Sequence, residues 1–569
     1  MQKEKIRVSL FGGPEEIRTP DLFHAMEALY QAKLQALFIY YGTVKYHIRF
    51  SIFVKYSKQT KHCILELKYR MRKIFSTIIF KNTSQRVYKW LFLGFLLTLP
   101  LSVRKILWYM PLGGVFNEYA DISIYASDVF LVASFAVWIF TLKHNKRILS
   151  TIKECSTWNK KSIDWKMVII LLSPLGLILW SIFSLFYAIN QFIGVFFIIK
   201  LIEWYVLYLF IIFHIVSRET ILYTKTVLII KIVCRVFIFV GVIESVLGIV
   251  QFLQQKSIGL TFISESVVHS SMPGIAKIIA YNTPYIRAYG TFPHPNILGG
   301  FLMTSILLSY FYYKVFHVEH RSVFKQQVVI GIQSVGLLLT FSKSAMLGLV
   351  VACVYFKIVS RGTNNGSQLI IDKIQHIEKK LFHVERFKIN FIIGMVVVFV
   401  MSMLFFQFNM DALLFQSLRE RLVYQSIAID VIRNHPILGI SCGQLVIFMS
   451  QSSIYPLLSW QLQPVHNIFL LIWAELGGVG FMIFSGWFSI LLMNIFSQHK
   501  FISSQHPTQR KQSITHHVNI SSSVYFNAIM IGLLPILLFD HYLWDIQQGQ
   551  GLFWIISGVV SGYILQHKR

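Results

Sequence analysis

Long runs of apolar residues with few charges recur along this chain, and they restrict its possible folds more than any other feature of the sequence. Clear examples are Met167–Leu185, Val227–Val250 and Phe391–Phe406. A helix of about 20 such residues crosses the hydrocarbon core of a bilayer. The strands of a membrane barrel would instead alternate apolar and polar residues, which these runs do not do. Only 14% of the residues are charged, whereas about a quarter are charged in soluble proteins. The sequence therefore predicts an all-α, polytopic membrane protein.

The predicted membrane spans number about twelve, and a long outer loop separates the ninth from the tenth. Each span is expected to extend a few residues beyond the limits that follow. These limits are 90–102, 122–142, 167–187, 193–216, 227–252, 297–313, 327–341, 345–357, 389–407, 467–496, 525–539 and 551–566.

The charges of the loops orient these spans, because Lys and Arg are retained on the cytoplasmic side of spanning helices. Loops 143–166 and 357–388 carry seven basic residues each, whereas loops 253–296 and 408–466 carry three each. The last two loops are therefore predicted to face outward from the inner membrane, with both termini in the cytoplasm. The net charge of +28 is explained by this asymmetry, so no nucleic-acid partner is expected.

The first 70 residues differ from the rest, because they are polar and basic and contain no full-length span. The run Gly12–Tyr30 resembles a stretch that recurs before unrelated protein sequences, which suggests a misassigned translation start. Met71 is a suitable start because a short basic tail then precedes the first span. The alternative is a cytoplasmic arm that binds anionic lipid. Residues 71–569 are predicted to form a single membrane domain.

Neither the cysteines nor a short repeat containing histidine indicates a structural site. The repeat occurs at Phe316–His320 and Phe382–Arg386, and His317 and His320 have a spacing that metal sites use. Two ligands without a Cys/His cluster are weak evidence, and the second copy lacks the final histidine, so a solvated loop is favoured and no metal is expected. The cysteines form no CxxC pair and predict no disulfide framework. They are Cys63, Cys155, Cys234, Cys353 and Cys442.

Four groups of polar residues are predicted to lie on the outer face. Taken singly, each has a structural explanation: an arginine can reach lipid headgroups, Gly-Pro clusters form turns, and a histidine can cap a helix. Their concentration on one side favours a functional site, which a non-catalytic scaffold would not need. The groups are Arg287–Asn296, Ser417–Leu422 with His435–Gly439, Gln463–Asn467 and Asp540–Gly549.

The order and spacing of several motifs resemble the O-antigen ligase and O-antigen polymerase superfamily of bacterial membrane proteins. The resemblance covers about residues 90–566. The matching elements are Arg287–Asn296 with Gly299, Thr340–Lys343, Arg421 followed by Pro436–Gly439, and His466-Asn467 with Glu475 and Gly477. One departure is Lys343, which occupies a position where the family usually has arginine, and lysine grips phosphate less firmly.

The resemblance implies an enzyme that transfers a glycan from an undecaprenyl-diphosphate carrier to a hydroxyl acceptor, without a metal or other cofactor. It implies Arg287, Arg421 and His466 as the catalytic residues. Arg421 is preferred to its neighbour Arg419 for its distance from the Pro-x-x-Gly turn. Other residues are assigned to substrate binding; these are Arg419, Lys343, Asn296, Asn467 and Glu475.

These residue types suit the chemistry of such a transfer. Two permanently charged guanidinium groups can neutralise a leaving diphosphate through two-pronged hydrogen bonds. A histidine can accept the proton of the acceptor hydroxyl near neutral pH. The expected partners are a lipid-linked glycan, membrane lipid, and a glycolipid, glycan or protein that supplies the hydroxyl. The motifs leave open a ligase, a polymerase or a protein oligosaccharyltransferase. A secondary transporter is the alternative from another class, and it would use buried charges such as Glu203, Glu244 and Glu475.

Overall fold

The fold is known from a computed structural model, in which most of the described residues are helical and surround one large apolar core. Several predictions concern segments outside these residues, namely the extension 1–70 with Met71, the span 389–407, and the histidines of the FHVE repeat. The structure describes residues 87–143, 165–216, 220–280, 283–316, 322–362, 410–452, 454, 457–504 and 514–567.

Each predicted span within the described residues falls on a helix, although the ends differ. The largest difference is at the eleventh predicted span, whose helix begins at Ile514 rather than near 525. The helices are α1 (Val87–Thr98), α2 (Ala126–Lys143), α3 (Trp165–Ser184), α4 (Gln191–Val216), α5 (Thr220–Gln254), α6 (Pro295–Phe316), α7 (Ser322–Leu339), α8 (Lys343–Gly362), α9 (Met410–Asn434), α10 (Leu445–Gln451), α11 (Ile468–Ser504), α12 (Ile514–Phe539), α13 (Tyr542–Asp545) and α14 (Gln547–His567).

Four helical segments in the described part of the chain are long and apolar enough to cross a membrane, judged by length and composition. They are Met167–Tyr187, Gln191–Phe213, Ile230–Gln254 and Ile468–Ser497. Four shorter apolar helical segments of 10–17 residues accompany them. The four long segments support a membrane protein, whereas the count of about twelve spans and the side on which each loop lies remain predictions.

Two short β-hairpins accompany the helices, which the all-α prediction did not include. Strand β1 (Arg104–Tyr109) pairs antiparallel with β2 (Asp121–Tyr125), and β3 (Lys277–Ala280) pairs with β4 (Thr283–Ile286). These strands of four to six residues lie in loops between helices, where a hydropathy pattern that identifies spans gives no signal for them. The second predicted span accordingly starts at Ala126 rather than at 122.

Helices α8 and α12 approach closely through small residues. A Cβ added to Gly348 would lie 2.3 Å from the carbonyl oxygen of Gly532, so these two backbones touch. Small residues permit such close approach of helices in membranes. Elsewhere α14 packs against α4, α11 against α3, and α5, α6 and α7 against one another. The loops that carry the candidate site residues connect the ends of these helices.

A break in α11 joins two of the sequence motifs. Gly477 has φ 66° inside this helix, and its N-terminal part therefore ends in non-helical backbone. The Pro436–Gly439 turn fits into the break, where the Gly478 N–H donates to the Pro436 carbonyl at 2.8 Å. A Cβ at Gly477 would lie 2.1 Å from the Ile437 carbonyl oxygen. Glycine is required here by both its positive φ and the absence of space.

Candidate functional site

Arg287 directly follows β4 and is held by two acceptors. Its Nε donates to the Thr340 carbonyl at 2.6 Å, and its Nη2 donates to Asn296 Oδ1 at 2.5 Å. The backbone N–H of Ala288 also donates to the Leu339 carbonyl at 2.9 Å. The loop that carries Arg287 is therefore joined to the Thr340–Lys343 element, although the two are far apart in the sequence.

Asn296 extends this network to the loop before the last helix. Its amide Nδ2 donates to Asp540 Oδ2 at 2.7 Å, while Asp540 Oδ1 accepts the backbone N–H of His541 at 3.0 Å. His541 Nδ1 in turn lies 2.9 and 3.0 Å from the two carboxylate oxygens of Asp545. A continuous chain of hydrogen bonds thus runs from Arg287 to Asp545.

His466 lies just before α11, between an aromatic ring and a second imidazole. Its ring is stacked on Tyr424 of α9, with centroids 5.8 Å apart and planes 15° apart. It meets the ring of His541 at 5.0 Å and 90°. The Tyr424 hydroxyl donates to the Gln461 carbonyl at 2.7 Å. This bond joins α9 to the loop that carries His466.

Arg421 is three residues before Tyr424, and residues at this spacing share one face of a helix. Its positive charge contributes to the pKa shifts of three other predicted site residues. Desolvation is the largest cause that lowers the pKa values of Arg287 (to about 10), Lys343 and His466, and Arg421 contributes to each of these shifts. The structure therefore brings Arg287, Arg421, His466 and Lys343 into one electrostatic neighbourhood. Arg419, by contrast, is exposed.

A cavity of about 350 Å³ adjoins His466. Four loops line it: the loop between β1 and β2, the loop after α5, the turn before α11, and the segment that follows α12. Three imidazoles, those of His294, His466 and His541, contribute to its wall together with Asp540. Its size falls within the range of about 300–1,000 Å³ that is usual for small-molecule sites, and it can admit a sugar unit beside His466.

The three imidazoles differ in their electrostatic surroundings. Desolvation lowers the pKa of His466 and of His294 well below the ordinary value, and the charges of His541 and Arg421 lower both further. Desolvation also lowers the pKa of His541, but the carboxylates of Asp545, Asp540 and Glu118 outweigh it, so the net pKa is raised. His466 is therefore neutral near pH 7, with a ring nitrogen free to accept a proton.

Two of the residues predicted to bind substrate make hydrogen bonds within the protein. Asn467 caps α11, because its Oδ1 accepts the Leu470 N–H at 3.0 Å, and its Nδ2 donates to the Leu538 carbonyl at 3.2 Å. Glu475 accepts the backbone N–H groups of Gly443 and Leu445 at 3.0 and 3.2 Å. Both residues hold loops of the site in place in this structure.

A second buried glutamate also holds a loop of the site in place. Glu244 of α5 accepts the backbone N–H and the hydroxyl of Thr291, both at 2.8 Å. Thr291 belongs to the loop that begins with Arg287. The third carboxylate that the sequence places in a span, Glu203, pairs with Lys200 at 3.2 Å.

Three residues of the site have ligand atoms that could meet at a metal ion. The candidate ligand atoms of His466, Asp540 and His541 all lie within 4.8 Å of one another. The prediction that no metal takes part is not tested by this arrangement.

Asp540, His541, Asp545 and Tyr424 were not among the site residues predicted from the sequence. The first three belong to the polar group Asp540–Gly549 that the sequence places on the outer face, and the i,i+4 spacing of His541 and Asp545 was a usable signal. Tyr424 gave no comparable signal, because a tyrosine on a helix usually packs in a core.

Comparison with known protein families agrees with the resemblance inferred from the sequence. Residues 328–485 match the family model described as O-antigen ligase. The matched segment contains Lys343, Arg421 and His466, whereas Arg287 precedes it and His541 follows it. No curated protein sequence matches the chain. The match therefore supports the resemblance to the O-antigen ligase superfamily that the motifs indicate.

Proposed function

We propose that this protein transfers a glycan from an undecaprenyl-diphosphate carrier to a hydroxyl acceptor at the outer face of the inner membrane, without a metal. The observation that supports the proposal is the grouping of Arg287, Arg421 and His466. The three come from separate loops and a helix, yet they share one electrostatic neighbourhood, and one of them, His466, lines the cavity.

The residues have distinct roles in the proposed reaction. The acceptor oxygen attacks the anomeric carbon and forms the new glycosidic bond, while its proton passes to neutral His466. The bond between the anomeric carbon and the phosphate oxygen breaks, and its electron pair leaves with the diphosphate. Arg287 and Arg421 stabilise the charge that develops there, as preorganised donors do in a site that excludes water.

Lys343 lies close enough to Arg421 and Arg287 for their charges to lower its pKa. It therefore adds a further positive charge beside the two arginines. We assign it to the same diphosphate as a single-point contact, since an ammonium lacks the planar fork of a guanidinium. Asn296 acts on the substrate indirectly in this proposal. Its amide fixes the orientation of Arg287 by accepting from that guanidinium while donating to Asp540.

Two of the three buried carboxylates that the transporter alternative would use have structural contacts, whereas Glu203 pairs with Lys200. A transport pathway would need intramembrane charges that bind and release a substrate or ion. Glu244 and Glu475 each accept two hydrogen bonds from loops of the site. Their contacts explain the presence of two costly buried carboxylates without a transport role.

A reconstituted transfer assay tests the proposal. The purified full chain in lipid vesicles is supplied with an undecaprenyl-diphosphate-linked glycan and a panel of acceptors: a glycolipid, a second copy of the lipid-linked glycan, and a serine-containing peptide. We expect transfer in the presence of EDTA, and the acceptor that is used distinguishes ligase, polymerase and protein oligosaccharyltransferase. Absence of transfer to every acceptor would count against the proposal.

Labelling with an impermeant thiol reagent tests the proposed side of the membrane. Ser270→Cys and Ser450→Cys should react in intact cells, whereas native Cys155 and Gln375→Cys should react only after permeabilisation. The reverse pattern would put the catalytic residues in the cytoplasm and contradict the proposed mechanism.

A further inference from the structure

Trp460 lines the cavity beside His466, and 50% of the residue is exposed. It lies in a short 3₁₀ helix, Ser459–Gln461, a few residues before His466. Within the described part of the chain its ring contacts no other aromatic ring, and its indole N–H donates no hydrogen bond. A half-exposed tryptophan is unremarkable by itself. In the wall of a cavity beside a proton acceptor, however, a free indole face offers a surface to a ligand.

The backbone that carries Trp460 is held by hydrogen bonds and by two neighbouring loops. The Gln461 N–H donates to the Leu458 carbonyl at 2.8 Å, and Gln461 Oε1 accepts the Leu458 N–H at 2.9 Å. A Cβ added to Gly274 of the loop after α5 would lie 3.4 Å from Trp460 Cβ. One added to Gly113, between β1 and β2, would lie 3.3 Å from the side chain of the preceding serine. The indole is therefore exposed on a fixed support.

The charges of the cavity wall indicate which part of a substrate can enter. Among the described residues that line the cavity, none is lysine or arginine, whereas Glu118 and Asp540 contribute carboxylates. His541, whose pKa is raised, is paired with Asp545 at 2.9 Å. The arginines assigned to the diphosphate are not part of this wall. Because like charges in contact are unfavourable, the wall disfavours a diphosphate and favours an uncharged group.

A sugar ring matches both the apolar and the polar parts of this wall. A pyranose has a face of C–H groups with partial positive charge, and the face of an aromatic ring carries partial negative charge. The two therefore pack favourably. The hydroxyls of the sugar need hydrogen-bond partners, which Gln463 and the two carboxylates of the wall supply. The indole N–H of Trp460 is a further donor. A serine side chain of a peptide has no comparable C–H face.

We propose that this cavity is the acceptor subsite and that Trp460 binds the acceptor by stacking on one of its sugar rings. The inference rests on the proposed glycan transfer and narrows it, because the attacking group is then a carbohydrate hydroxyl. The stacked ring directs that hydroxyl toward neutral His466, while the donor diphosphate stays with the arginines outside the cavity. Trp460 takes no part in the proton transfer.

Steady-state kinetics of Trp460→Ala in the reconstituted full chain test the proposal. The acceptor is supplied as its free oligosaccharide, which has no diphosphate and cannot act as a donor, so that the two substrates are varied independently. The KM for this acceptor should rise roughly tenfold through loss of the aromatic contact. The kcat and the KM for the donor should remain within about twofold, because loss of binding that is equal in the ground and transition states raises KM alone.

Two other replacements separate stacking from the filling of space. Trp460→Tyr keeps an aromatic face and should hold the acceptor KM within about threefold of the wild type. Trp460→Leu is apolar but has no such face, so its acceptor KM should stay near that of Trp460→Ala. Phe262→Ala is the matched control, because Phe262 is an exposed aromatic residue of the loop after α5 that does not line the cavity. It should leave both KM values unchanged.

Equilibrium dialysis of the radiolabelled oligosaccharide against the purified chain measures acceptor binding without turnover. Trp460→Ala should weaken this binding roughly tenfold, in line with its effect on KM. Arg421→Ala should bind the oligosaccharide within about twofold of the wild type, because the arginine is assigned to the diphosphate. Thermal unfolding of each variant, measured in parallel, should match that of the wild type, since half of Trp460 is already exposed.

Four results would overturn the inference. These are unchanged acceptor KM and binding in Trp460→Ala, equal acceptor KM values for the Tyr and Leu variants, a rise in the donor KM instead of the acceptor KM, and wild-type transfer to a serine-containing peptide alone. The third result would assign the cavity to the donor glycan. In each case the proposed function stands if the wild type transfers glycan and Arg421→Ala does not. If the wild type transfers glycan to no acceptor, the proposed function fails.

Discussion

Arg419 and Arg421 lie two residues apart on α9, and replacing each by Ala separates a solvent-exposed arginine from one that acts on the site. A two-pronged contact of Arg421 with phosphate consists of two hydrogen bonds to charged groups, each worth about 1.5–3 kcal/mol. Their combined loss of about 3–6 kcal/mol corresponds to roughly two to four orders of magnitude in rate. Arg421→Ala should therefore reduce kcat/KM by that factor. Arg419→Ala, which removes an exposed side chain, should remain within about twofold.

Arg421→Lys refines this comparison, because it restores the charge but only one of the two hydrogen bonds. We expect it to recover about half of the lost free energy, which leaves a defect of one to two orders of magnitude. The assay is transfer from a lipid-linked glycan donor in vesicles, with thermal unfolding of each variant measured in parallel. Arg421 makes no hydrogen bond or ion pair in the described part of the chain, so its variants should unfold near the wild-type temperature. An equal loss of activity in Arg419→Ala, or full activity in Arg421→Ala, would refute the reasoning.

Three further predictions concern positions that shape the site. Glu475→Gln should lower the free energy of unfolding by about 1–3 kcal/mol, because the two loop amides lose a charged acceptor. The KM for the donor should be unchanged, and a tenfold rise in that KM would contradict a purely structural role. Gly477→Ala should impair folding, since the residue has a positive φ and its new Cβ would clash with a carbonyl oxygen. Gly486→Ala should fold normally, because the space around Gly486 is open. Expression levels and size-exclusion profiles compare the two variants, and equal profiles would contradict this expectation. Tyr424→Phe should retain transfer within about threefold because stacking on His466 is kept, while Tyr424→Ala should reduce kcat; equal rates for both would argue against a positioning role.

The helical architecture could be predicted from the sequence because each apolar run is a local signal. Every predicted span within the described residues falls on a helix, and the family match confirms the resemblance drawn from the motifs. The hairpin formed by Arg104–Tyr109 and Asp121–Tyr125 was missed, because short strands in loops depend on pairing across a turn. Apolar side chains such as Leu107 and Trp108 are exposed in it, whereas its buried residues Asp121 and Ser123 are polar, so it has no buried apolar face that hydropathy could identify.

The site itself was only partly accessible from the sequence. Arg287, Arg421 and His466 were predicted from motifs, and the structure brings them into one electrostatic neighbourhood. The partners of Asn296 could not be predicted, because its contact with Asp540 joins residues separated by 244 positions. Such contacts follow from helix packing, which a single sequence does not specify. The role of Glu475 in holding backbone amides was hidden for the same reason.

The central claim is that two arginines hold a lipid diphosphate while His466 removes a proton, and a comparison of donor binding with turnover tests it most directly. Binding of a non-transferable lipid-diphosphate analogue and the rate of glycan transfer are measured for the wild type, Arg287→Ala and His466→Ala. Arg287→Ala should weaken both binding and transfer. His466→Ala should bind the analogue within about twofold of the wild type, yet transfer about 10²–10⁴-fold more slowly. Wild-type transfer by His466→Ala, or unchanged donor binding by Arg287→Ala, would contradict the account.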